Sequence, residues 1–422
     1  MRFKETKPDN KMKSCSRPSS LALSPRGRNG VRTSWVIAAL VFGLEVVANA
    51  AVQTPAGRID YALAYFPPAS GLIMQGGWGP TWKWEPMAET WELDAAGWTI
   101  LPASGAPSLA HHSMAYDAGR QVLLVCGKSE PYASRPFGYG EFDGTRWTSM
   151  TNGPLLGLGD AELAYDSVRH RIVLYWAQAS TASGGRIETW EYDGAKWQLM
   201  NPGQLPVACS DGALLKYHAG LQRVVLVGQH GTAPVETWLW DGSNWSPLTG
   251  PQPTNAVTGG MAYDQARGEM VVLTTDMATW TLKSNAWVRQ TPAHSPAYRK
   301  LAYFSMDYDP QRQVSAFFGG EAYAPLSYPN TTWEWNGTDW HVFTPGVVPP
   351  AAPKFVNVAV SATNLFGCSL QGASSQSYRV QVSPDFKSRT DWTNLVMGDV
   401  ALPLVDGDTT NNSHRFFRAV TP

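Results

Sequence analysis

The chain has 422 residues, of which 16% are charged and 12% aromatic, with 39 Gly and 31 Pro. This balance excludes an intrinsically disordered chain, which carries few aromatics and much charge, and it argues against a helical bundle, which uses less Gly and Pro. Residues 1–51 hold nine basic and three acidic residues, so the remainder is acidic, with 24 basic and 31 acidic residues. An acidic body lacks the electrostatic footprint of a protein that binds nucleic acid or anionic membrane surfaces.

The N-terminus has the pattern of a secretory signal peptide. Residues 1–34 are polar and basic, an apolar run covers residues 35–44, and Ala48 and Ala50 form the small-residue pair that signal peptidase recognises. The apolar run has about ten residues, whereas a helix that spans a bilayer needs roughly 20. The sequence therefore predicts a signal peptide over residues 1–50 and a protein that is secreted or held at the cell surface, with no membrane span after cleavage.

Two alternatives stay open at this end of the chain. The apolar run could remain as an uncleaved anchor, and translation could start at Met12, which would shorten the basic segment. The Ala-x-Ala pattern also leaves the cleavage position open to within a few residues.

Three cysteines remain after the predicted cleavage: Cys126, Cys209 and Cys368. An odd number cannot pair completely, and the spacing matches no C-x-x-C metal pattern. One disulfide between Cys126 and Cys209 is an open alternative, and free, buried thiols are the interpretation that we favour.

A unit of about 50 residues recurs from residue 51 to residue 345. Each unit opens with an apolar strand that ends in a tyrosine, and successive tyrosines are separated by 51, 49, 52, 46 and 45 residues. A period near 50 with four strands per unit is typical of a β-propeller and not of a helical solenoid. These six residues, called the blade tyrosines below, are Tyr65, Tyr116, Tyr165, Tyr217, Tyr263 and Tyr308.

A recurring set of segments follows the blade tyrosines, with most of its members present in most units. They are an Asp-turn-Arg segment, a continuous apolar strand, a variable loop, a strand with Thr-Trp, an Asp-Gly or Asn-Gly turn and a strand with one more Trp. The apolar runs predict strands buried on both faces, and the Asp-Gly dipeptide favours a two-residue hairpin. We interpret the repeated aromatics as packing between neighbouring blades. The Asp/Arg pairs are Asp117/Arg120, Asp166/Arg169, Asp264/Arg267 and Asp309/Arg312, and the last Trp of each unit is Trp98, Trp147, Trp197, Trp245, Trp287 or Trp340.

These features resemble the kelch family, which has a Tyr-Asp strand, a hydrophobic strand ending near Gly-Gly and a TW-x-x-DG-x-x-W hairpin. The resemblance covers residues 51–345 and implies a propeller of about six blades, similar to the central domain of galactose oxidase. The Gly-Gly pair stands at Gly76-Gly77 and Gly319-Gly320 but is replaced in other units, and the second unit has Tyr139-Gly140 in place of Thr-Trp. These departures affect the regularity of the blades more than their number.

The C-terminal part has a different pattern. Residues 346–353 are Pro-rich and predict a stiff linker. Residues 354–422 contain the segments SYRVQVS, DWTNL and RFFRAV, and resemble a short β-rich module found at the C-terminus of many secreted bacterial proteins. This resemblance implies an extracellular setting. The predicted fold is thus all-β, a six-bladed kelch-like β-propeller followed by a small β-rich domain.

Sequence motifs for catalysis are missing: the chain has no H-E-x-x-H, paired C-x-x-C, G-x-S-x-G or phosphate-loop pattern. Resemblance to galactose oxidase raises a copper radical site, but no His pattern accompanies Cys126 and Cys209. Four residues before the blade tyrosines, His112 is the one histidine in the set Tyr61, His112, Ala161, Ala213, Gly259 and Phe304. We predict no cofactor and no metal, and favour a non-catalytic protein without excluding an enzyme.

The loop GGWGPTWKWEP at residues 76–86 carries Trp78, Trp82 and Trp84. Flat rings in a connecting loop can stack on sugars or peptides, so these three are the predicted binding residues, and packing beneath the propeller rim is the alternative.

The predicted function is a binding module for a protein or carbohydrate, of unknown oligomeric state. An extracellular enzyme acting on carbohydrate at the propeller axis is the main alternative, and a cluster of carboxylates, His or Tyr at the axis would favour it. A purely structural surface-layer component is a third interpretation.

Overall fold

A computed structural model describes the propeller over residues 53–79, 86–128, 137–157, 159–178, 186–206, 213–231, 233–254 and 258–347. It also describes residues 354–360, 366–372, 377–383, 390–397, 401–406 and 416–420. The predicted signal peptide, Trp82, Trp84 and Cys209 lie outside the described residues. Within these ranges, no helix has the length and apolar character needed to cross a membrane.

Six antiparallel four-stranded sheets, called blades 1 to 6, follow one another along the described chain. Within each blade the strands pair with their neighbours in chain order. Blade 1 contains β1 (Ala62–Phe66), β2 (Gly71–Gln75), β3 (Thr90–Asp94) and β4 (Gly97–Leu101). Blade 2 contains β5 (Ala110–Asp117), β6 (Val122–Lys128), β7 (Gly138–Phe142) and β8 (Trp147–Met150). Blade 3 contains β9 (Asp160–Asp166), β10 (Arg171–Gln178), β11 (Arg186–Tyr192) and β12 (Trp197–Met200).

The second half of the ring repeats this arrangement, with a small two-stranded sheet inserted beside blade 6. Blade 4 contains β13 (Ala213–His218), β14 (Arg223–Gly228), β15 (Glu236–Trp240) and β16 (Trp245–Pro247). Blade 5 contains β17 (Gly260–Asp264), β18 (Glu269–Leu273), β19 (Thr279–Leu282) and β20 (Trp287–Arg289). Blade 6 contains β22 (Met306–Asp309), β23 (Val314–Phe318), β25 (Thr332–Trp335) and β26 (Trp340–Val342). The inserted sheet pairs β21 (Leu301–Ala302) with β24 (Glu321–Ala322).

The six blades close into a ring. Their first strands contact one another in order, β1 with β5, β5 with β9, β9 with β13, β13 with β17, β17 with β22 and β22 with β1. Every blade is built from its own consecutive strands, so closure needs no strand shared between the ends of the propeller. The hydroxyl of Tyr61 accepts the backbone N–H of Phe318 at 3.0 Å and joins blade 1 to blade 6. The prediction of an all-β, six-bladed propeller is confirmed.

The second strand of each blade is the most deeply buried. Residues of β10 from Ile172 to Ala177 are almost fully buried, as are those of β6 from Leu123 to Gly127. Both faces of these strands pack against neighbouring blades, which explains why their sequences are continuous apolar runs without polar alternation.

The Trp of the fourth strand reaches the preceding blade. In five blades its indole N–H donates to a threonine hydroxyl on the third strand of that blade, over distances of 2.8 to 2.9 Å. At the sixth joint Tyr139 replaces the threonine, its ring lies 6.0 Å from that of Trp197, and the indole N–H of Trp197 is buried without a partner in the described chain. The five pairs are Trp98–Thr332, Trp147–Thr90, Trp245–Thr189, Trp287–Thr237 and Trp340–Thr279.

The Asp-turn-Arg segments form the predicted pairs in three of four blades, since Arg120, Arg169 and Arg267 bind Asp117, Asp166 and Asp264. In blade 6 Arg312 instead pairs with the buried Glu334, and Asp309 accepts the backbone N–H of Arg312 at 3.2 Å.

The Asp-Gly turns have the predicted positive φ at glycine, as at Gly194 (φ 94°) and Gly242 (φ 99°). The predicted two-residue loop is wrong, however. Strand pairing ends at Tyr192↔Trp197 and Trp240↔Trp245, which leaves four residues in each loop. The loop is longer because the Asp side chain caps it: Asp193 Oδ1 accepts the backbone N–H groups of Ala195 and Lys196 at 2.9 and 2.8 Å.

The C-terminal residues form two three-stranded antiparallel sheets. One contains β27 (Lys354–Val360), β28 (Phe366–Gln371) and β31 (Leu402–Asp406), and the other β29 (Ser377–Ser383), β30 (Thr390–Val396) and β32 (Phe416–Val420). Leu370, Tyr378 and Val380 are fully buried in their shared core. Cys126 in blade 2 and Cys368 in β28 are free, buried thiols, as we favoured from the sequence.

Candidate functional site

A cavity of about 270 Å³ lies where the first strands of the blades meet. All six blades contribute to its lining, so it lies on the propeller axis. The loops that follow each second strand leave the blades at this same end, because β1 and β2 pair from Ala62↔Gln75 onward and the other blades repeat that register. The described strand ends therefore place the starts of the variable loops at the end of the propeller where the cavity lies.

The cavity is lined in layers by residues at fixed distances before the blade tyrosines. Side chains two residues apart on a strand share a face, so residues five and three before each tyrosine lie on the axial side. The outer layer contains Asp60, His111, Asp160, Thr258 and Tyr303, and the next layer contains Ser113, Glu162, Leu214, Gly260 and Ser305. Blade 4 would contribute Gly212 to the outer layer, but that residue lies outside the described chain.

An ion pair crosses the channel one layer further in. Lys216 of blade 4 donates to Asp307 Oδ1 of blade 6 at 3.2 Å. These blades are not neighbours in the ring, because blade 5 lies between them, so the pair spans the axis. The second oxygen of Asp307 accepts the backbone N–H of Tyr65 at 2.9 Å, which fixes the pair to blade 1 as well. Lys216 also lines the cavity, so this ion pair lies at its inner side.

Two carboxyl groups of the cavity hold their protons unusually tightly. Burial, reinforced by the charge of Asp160, raises the pKa of Asp60 to about 8 and that of Glu162 to about 8. Ser113 donates a hydrogen bond to Glu162 and opposes the shift. At neutral pH both groups can therefore act as hydrogen-bond donors, and in principle as proton donors.

Neighbouring basic groups are engaged or uncharged. Lys128 Nζ donates to Asp160 Oδ1 at 2.9 Å. The Nδ1 atom of His111 lies 3.4 Å from Asp60 Oδ1, but burial lowers the pKa of His111 to about 4, so the ring is neutral at pH 7. The contact between His111 and Asp60 is therefore not an ion pair at that pH.

Three residues of the outer layer have left-handed backbones: Asp60 (φ 52°), His111 (φ 46°) and Tyr303 (φ 59°). Such conformations are uncommon outside Gly, though less so for Asp and His than for Tyr, and strained ones cluster at functional sites. Hydrogen bonds hold them here, because Asp60 donates its backbone N–H to Tyr303 at 3.0 Å and Tyr303 donates its own to Thr258 at 2.7 Å.

The aromatic side of the cavity belongs to blade 6 and its inserted sheet. Tyr303 and Tyr328 are half-buried and pack against a small core of Ile59, Trp78 and Ala110. Tyr328 donates its hydroxyl to Glu321 at 3.2 Å. Of these aromatic residues, Tyr303 lines the cavity, in the same layer as Asp60, and this combination suits a ligand with both an apolar face and hydroxyls.

Of the three Trp residues predicted to bind a ligand, Trp78 lies within the described structure. Trp78 is 8% exposed and supports Tyr303 and Tyr328 from beneath, so it packs under the rim. Trp82 and Trp84 lie outside the described residues, and their platform stays a prediction. His112 is also buried, with Nε2 2.8 Å from the carbonyl oxygen of Gln75 and 3.1 Å from the backbone nitrogen of Ala62. Burial lowers its pKa to about 4, and these contacts give it a structural role between blades 1 and 2.

The sequence reasoning missed the axial carboxyl groups by one position. It compared residues four before each blade tyrosine, where no chemistry recurs, whereas the carboxyl groups that line the cavity stand five and three before. Five residues before the blade tyrosines stand Asp60, His111 and Asp160, and three before stands Glu162. This set of titratable residues could have indicated the axial site. In the described residues, no group of three or more His, Cys, Asp and Glu is arranged to hold a metal ion.

No family model matches the chain, and a search of curated proteins found no match. Among solved structures, the chain is similar to the Aleuria aurantia lectin in complex with Fucα1-6GlcNAc, with 12% identity, a TM-score of 0.47, and coverage of 70% of this chain and 99% of that one. It is also similar to AofleA from Arthrobotrys oligospora, with 11% identity, a TM-score of 0.46, and coverage of 69% and 88%. The chain is also similar to an exo-β-1,3-galactanase from Phanerochaete chrysosporium with galactose, with 9% identity and a TM-score of 0.36. That match covers 70% of this chain and 88% of the galactanase. At these values the neighbours assign no ligand to this chain.

Proposed function

We propose that the chain is an exported propeller that binds a carbohydrate in the axial cavity. The observation that carries this proposal is the lining itself: carboxyl groups, Lys216 and serine hydroxyls from several blades converge beside the half-buried Tyr303. Binding pockets of small ligands are concave, with a few convergent polar groups that fix orientation. Sugars need that combination, because their hydroxyls take hydrogen bonds and their C–H faces stack on aromatic rings.

Two finer statements belong to the same proposal. The blades are of the kelch type, which the Tyr-Asp strands, the Trp hairpins and the Gly76-Gly77 pair support. Export is supported by the basic segment, the apolar run and the Ala48-x-Ala50 pair. Expression of the full chain in a secreting host, with N-terminal sequencing of the product, tests export; a product that keeps residues 1–50 would contradict it.

Glycan-array binding of the purified protein tests the carbohydrate proposal. Tyr303→Ala should reduce the signal about two- to tenfold, since an aromatic stacking contact contributes about 0.5–1.5 kcal/mol. Tyr165→Ala is the matched control, because that tyrosine is half-buried and lies at the opposite end of an inner strand. An array without any signal, or equal signals for Tyr303→Ala and the unchanged protein, would refute a carbohydrate site in the cavity.

A second candidate function is an enzyme that hydrolyses a glycosidic bond in the same cavity. The observation that favours it is the group of Asp60, Asp160 and Glu162, which meets the criterion set out from the sequence for the enzymatic alternative. Glycoside hydrolysis commonly uses two carboxyl groups, of which one carries a proton at neutral pH. Release of reducing ends from oligosaccharides, lost in both Glu162→Gln and Asp160→Asn, would establish the enzyme. Binding without any release would leave the binding module.

A further inference from the structure

The inserted sheet of blade 6 carries three half-buried tyrosines grouped near one buried carboxyl group. Glu321 of β24 is 8% exposed and accepts hydrogen bonds from the hydroxyls of Tyr323 and Tyr328. Burial and the bond to Glu321 raise the pKa of Tyr323, and Tyr303 and Tyr328 add to this shift, so the three tyrosines lie close together. We call Tyr303, Tyr323 and Tyr328, with Glu321, the tyrosine cluster.

The tyrosine cluster is continuous with the axial cavity. Tyr303 lines the cavity, and Glu321 lies near enough to Asp60 to contribute, after burial, to the raised pKa of that carboxyl group. Tyr303 and Tyr328 pack on the same small core. Tyr323 and Tyr328 do not line the cavity themselves. The cluster therefore extends from the cavity lining to aromatic residues beside it.

Several contacts hold this part of the chain in place before a ligand arrives. Gly320 donates its backbone N–H to the carbonyl of Arg58 at 3.0 Å, and Tyr323 donates its own to the carbonyl of Lys300 at 3.0 Å. The ammonium group of Lys300 lies 5.0 Å from the centre of the Tyr323 ring. Since the hydroxyl of that ring is bound to Glu321 as well, a ligand that contacts the ring has little side-chain freedom to remove.

The size of the cavity limits how much of a saccharide it can enclose. Its volume of about 270 Å³ lies just below the range of roughly 300–1,000 Å³ that is usual for small-molecule pockets. A cavity of this size holds a short segment of a saccharide, and further sugar units lie outside it. The aromatic residues beside the cavity are where the next unit can find a flat apolar surface.

We propose that Tyr323 and Tyr328 form a second subsite, which stacks against the sugar unit that follows the one held in the axial cavity. This inference rests on the proposed carbohydrate function, and it specifies the class of ligand as an oligosaccharide of at least two units. Two rings anchored through their hydroxyls present their carbon surface in a fixed orientation, which suits the C–H face of a sugar. A cluster that only supports the fold would not make affinity depend on the length of the saccharide.

Isothermal titration with glucose, galactose and N-acetylglucosamine, and with their β-linked di- and tetrasaccharides, tests the inference. In a series that binds, the disaccharide should bind about two- to tenfold more tightly than the monosaccharide, which is the worth of an aromatic stacking contact. Tyr323→Ala and Tyr328→Ala should each reduce this gain and leave the affinity for the monosaccharide unchanged. Tyr303→Ala should weaken the binding of the monosaccharide as well, because Tyr303 lines the cavity.

Three further variants control for effects on the fold. Tyr323→Phe keeps the ring and loses the bond to Glu321, so it should retain most of the gain. Tyr323→Leu keeps an apolar side chain without a flat ring, and it should lose the gain even if Tyr323→Ala does not fold. Tyr165→Ala removes a half-buried tyrosine at the opposite end of an inner strand and should leave the gain unchanged.

The outcomes separate this inference from the proposed function. Equal affinity for mono- and disaccharides in every series that binds would overturn the subsite and keep the carbohydrate site in the cavity. A variant of Tyr323 or Tyr328 that weakens both saccharides by the same factor would show that these rings only support the cavity, and a full gain in the double Ala variant would place the second contact elsewhere. Either result would overturn the subsite. Binding of none of these saccharides would overturn both statements.

Discussion

Trp98 of blade 1 donates its indole N–H to the hydroxyl of Thr332 in blade 6 at 2.8 Å, across 234 residues of sequence. The same bond joins successive blades at four other joints, so the joint that closes the ring is chemically the same as four of the five joints within it. Tyr61 reinforces this joint from the axial side through its hydrogen bond with Phe318. Closure of the propeller therefore depends on side chains of a repeated type and not on a special strand exchange.

Removing the threonine acceptor should weaken a joint. Thr332→Val keeps the side-chain volume but leaves the buried N–H of Trp98 unpaired, so we expect a loss of about 1–3 kcal/mol in the free energy of unfolding. Chemical denaturation measures the change. As a matched comparison, Trp147→Phe breaks the bond to Thr90, whereas Trp197→Phe breaks none in the described structure. The Trp197 variant should be about 1 kcal/mol less damaging, and equal losses would contradict this role.

Substitution of Gly337, the turn glycine of blade 6, should destabilise the protein far more than substitution of Gly346, a glycine with open space around it. Gly337 has φ 95°, and a Cβ there would overlap the side chain of Arg267, which binds Asp264 and the carbonyl of Asn336. Gly346 also has a positive φ, 73°, but no atom lies within 4 Å of the place that a Cβ would occupy there.

Gly346→Ala should therefore lower the free energy of unfolding by about 1–2 kcal/mol, the cost of a side chain in a left-handed backbone conformation. Gly337→Ala should lose a further ~1–3 kcal/mol as Arg267 is displaced from its partners. Thermal unfolding of the two variants gives the comparison, and similar losses would show that Arg267 moves aside without cost.

Ionisation of Glu162 should lower the stability of the propeller as the pH rises from about 4 to about 8. Folding raises the pKa of Glu162 to about 8, so the folded state binds this proton more tightly than the unfolded state. The resulting stabilisation is complete below the unfolded pKa and is lost as the pH rises through the folded value. Glu162→Gln has no carboxyl group to ionise at this site, so this pH-dependent loss is absent from the variant. Its free energy of unfolding, relative to that of the unchanged protein, should be on the order of 1–2 kcal/mol higher at pH 8 than at pH 4.

Urea denaturation at the two pH values measures this change. Lys216→Met serves as a contrast, because it leaves Asp307 without its partner and should destabilise the protein at pH 8. A Glu162→Gln curve that runs parallel to that of the unchanged protein would exclude Glu162 as a source of the pH dependence.

The Trp loop remains open to experiment. Replacing Trp82 and Trp84 together by Ala should leave the unfolding midpoint unchanged and remove binding to a glycan, if their rings form the predicted platform. Trp78→Ala should act differently, since it removes a buried ring from beneath Tyr303 and Tyr328 and should cost about 3–5 kcal/mol of stability. Unchanged array binding in the double variant would confine the site to the axial cavity.

The periodic part of the fold was predictable because packing imposes the same residue at every blade. Trp98 and its counterparts repeat since each fills the same gap, and the sequence also revealed the one irregular joint at Tyr139-Gly140. The hairpin loop length was not predictable from Asp-Gly alone, because the Asp side chain caps two further N–H groups. The Asp-Gly dipeptide alone does not show that the Asp side chain binds residues beyond the glycine.

The axial site escaped the sequence reasoning for the opposite reason. Asp60, His111 and Tyr303 occupy equivalent places in three blades yet share no chemistry, so the repeat pattern conceals them. They become neighbours only when the ring closes, which brings together residues more than 200 positions apart. Trp78 illustrates a different limit, since a tryptophan in a Gly-rich loop is equally compatible with an exposed ring and a buried one.

The ion pair between Lys216 and Asp307 has a consequence for the size of what the propeller can recognise. A polysaccharide that passes along the axis would have to break this ion pair, because Lys216 and Asp307 bridge the channel. The terminus of such a polymer, or a short branch projecting from it, can enter the cavity and leave the pair intact. The protein would then bind in proportion to the number of chain ends, and a cyclic or heavily capped polymer would not bind.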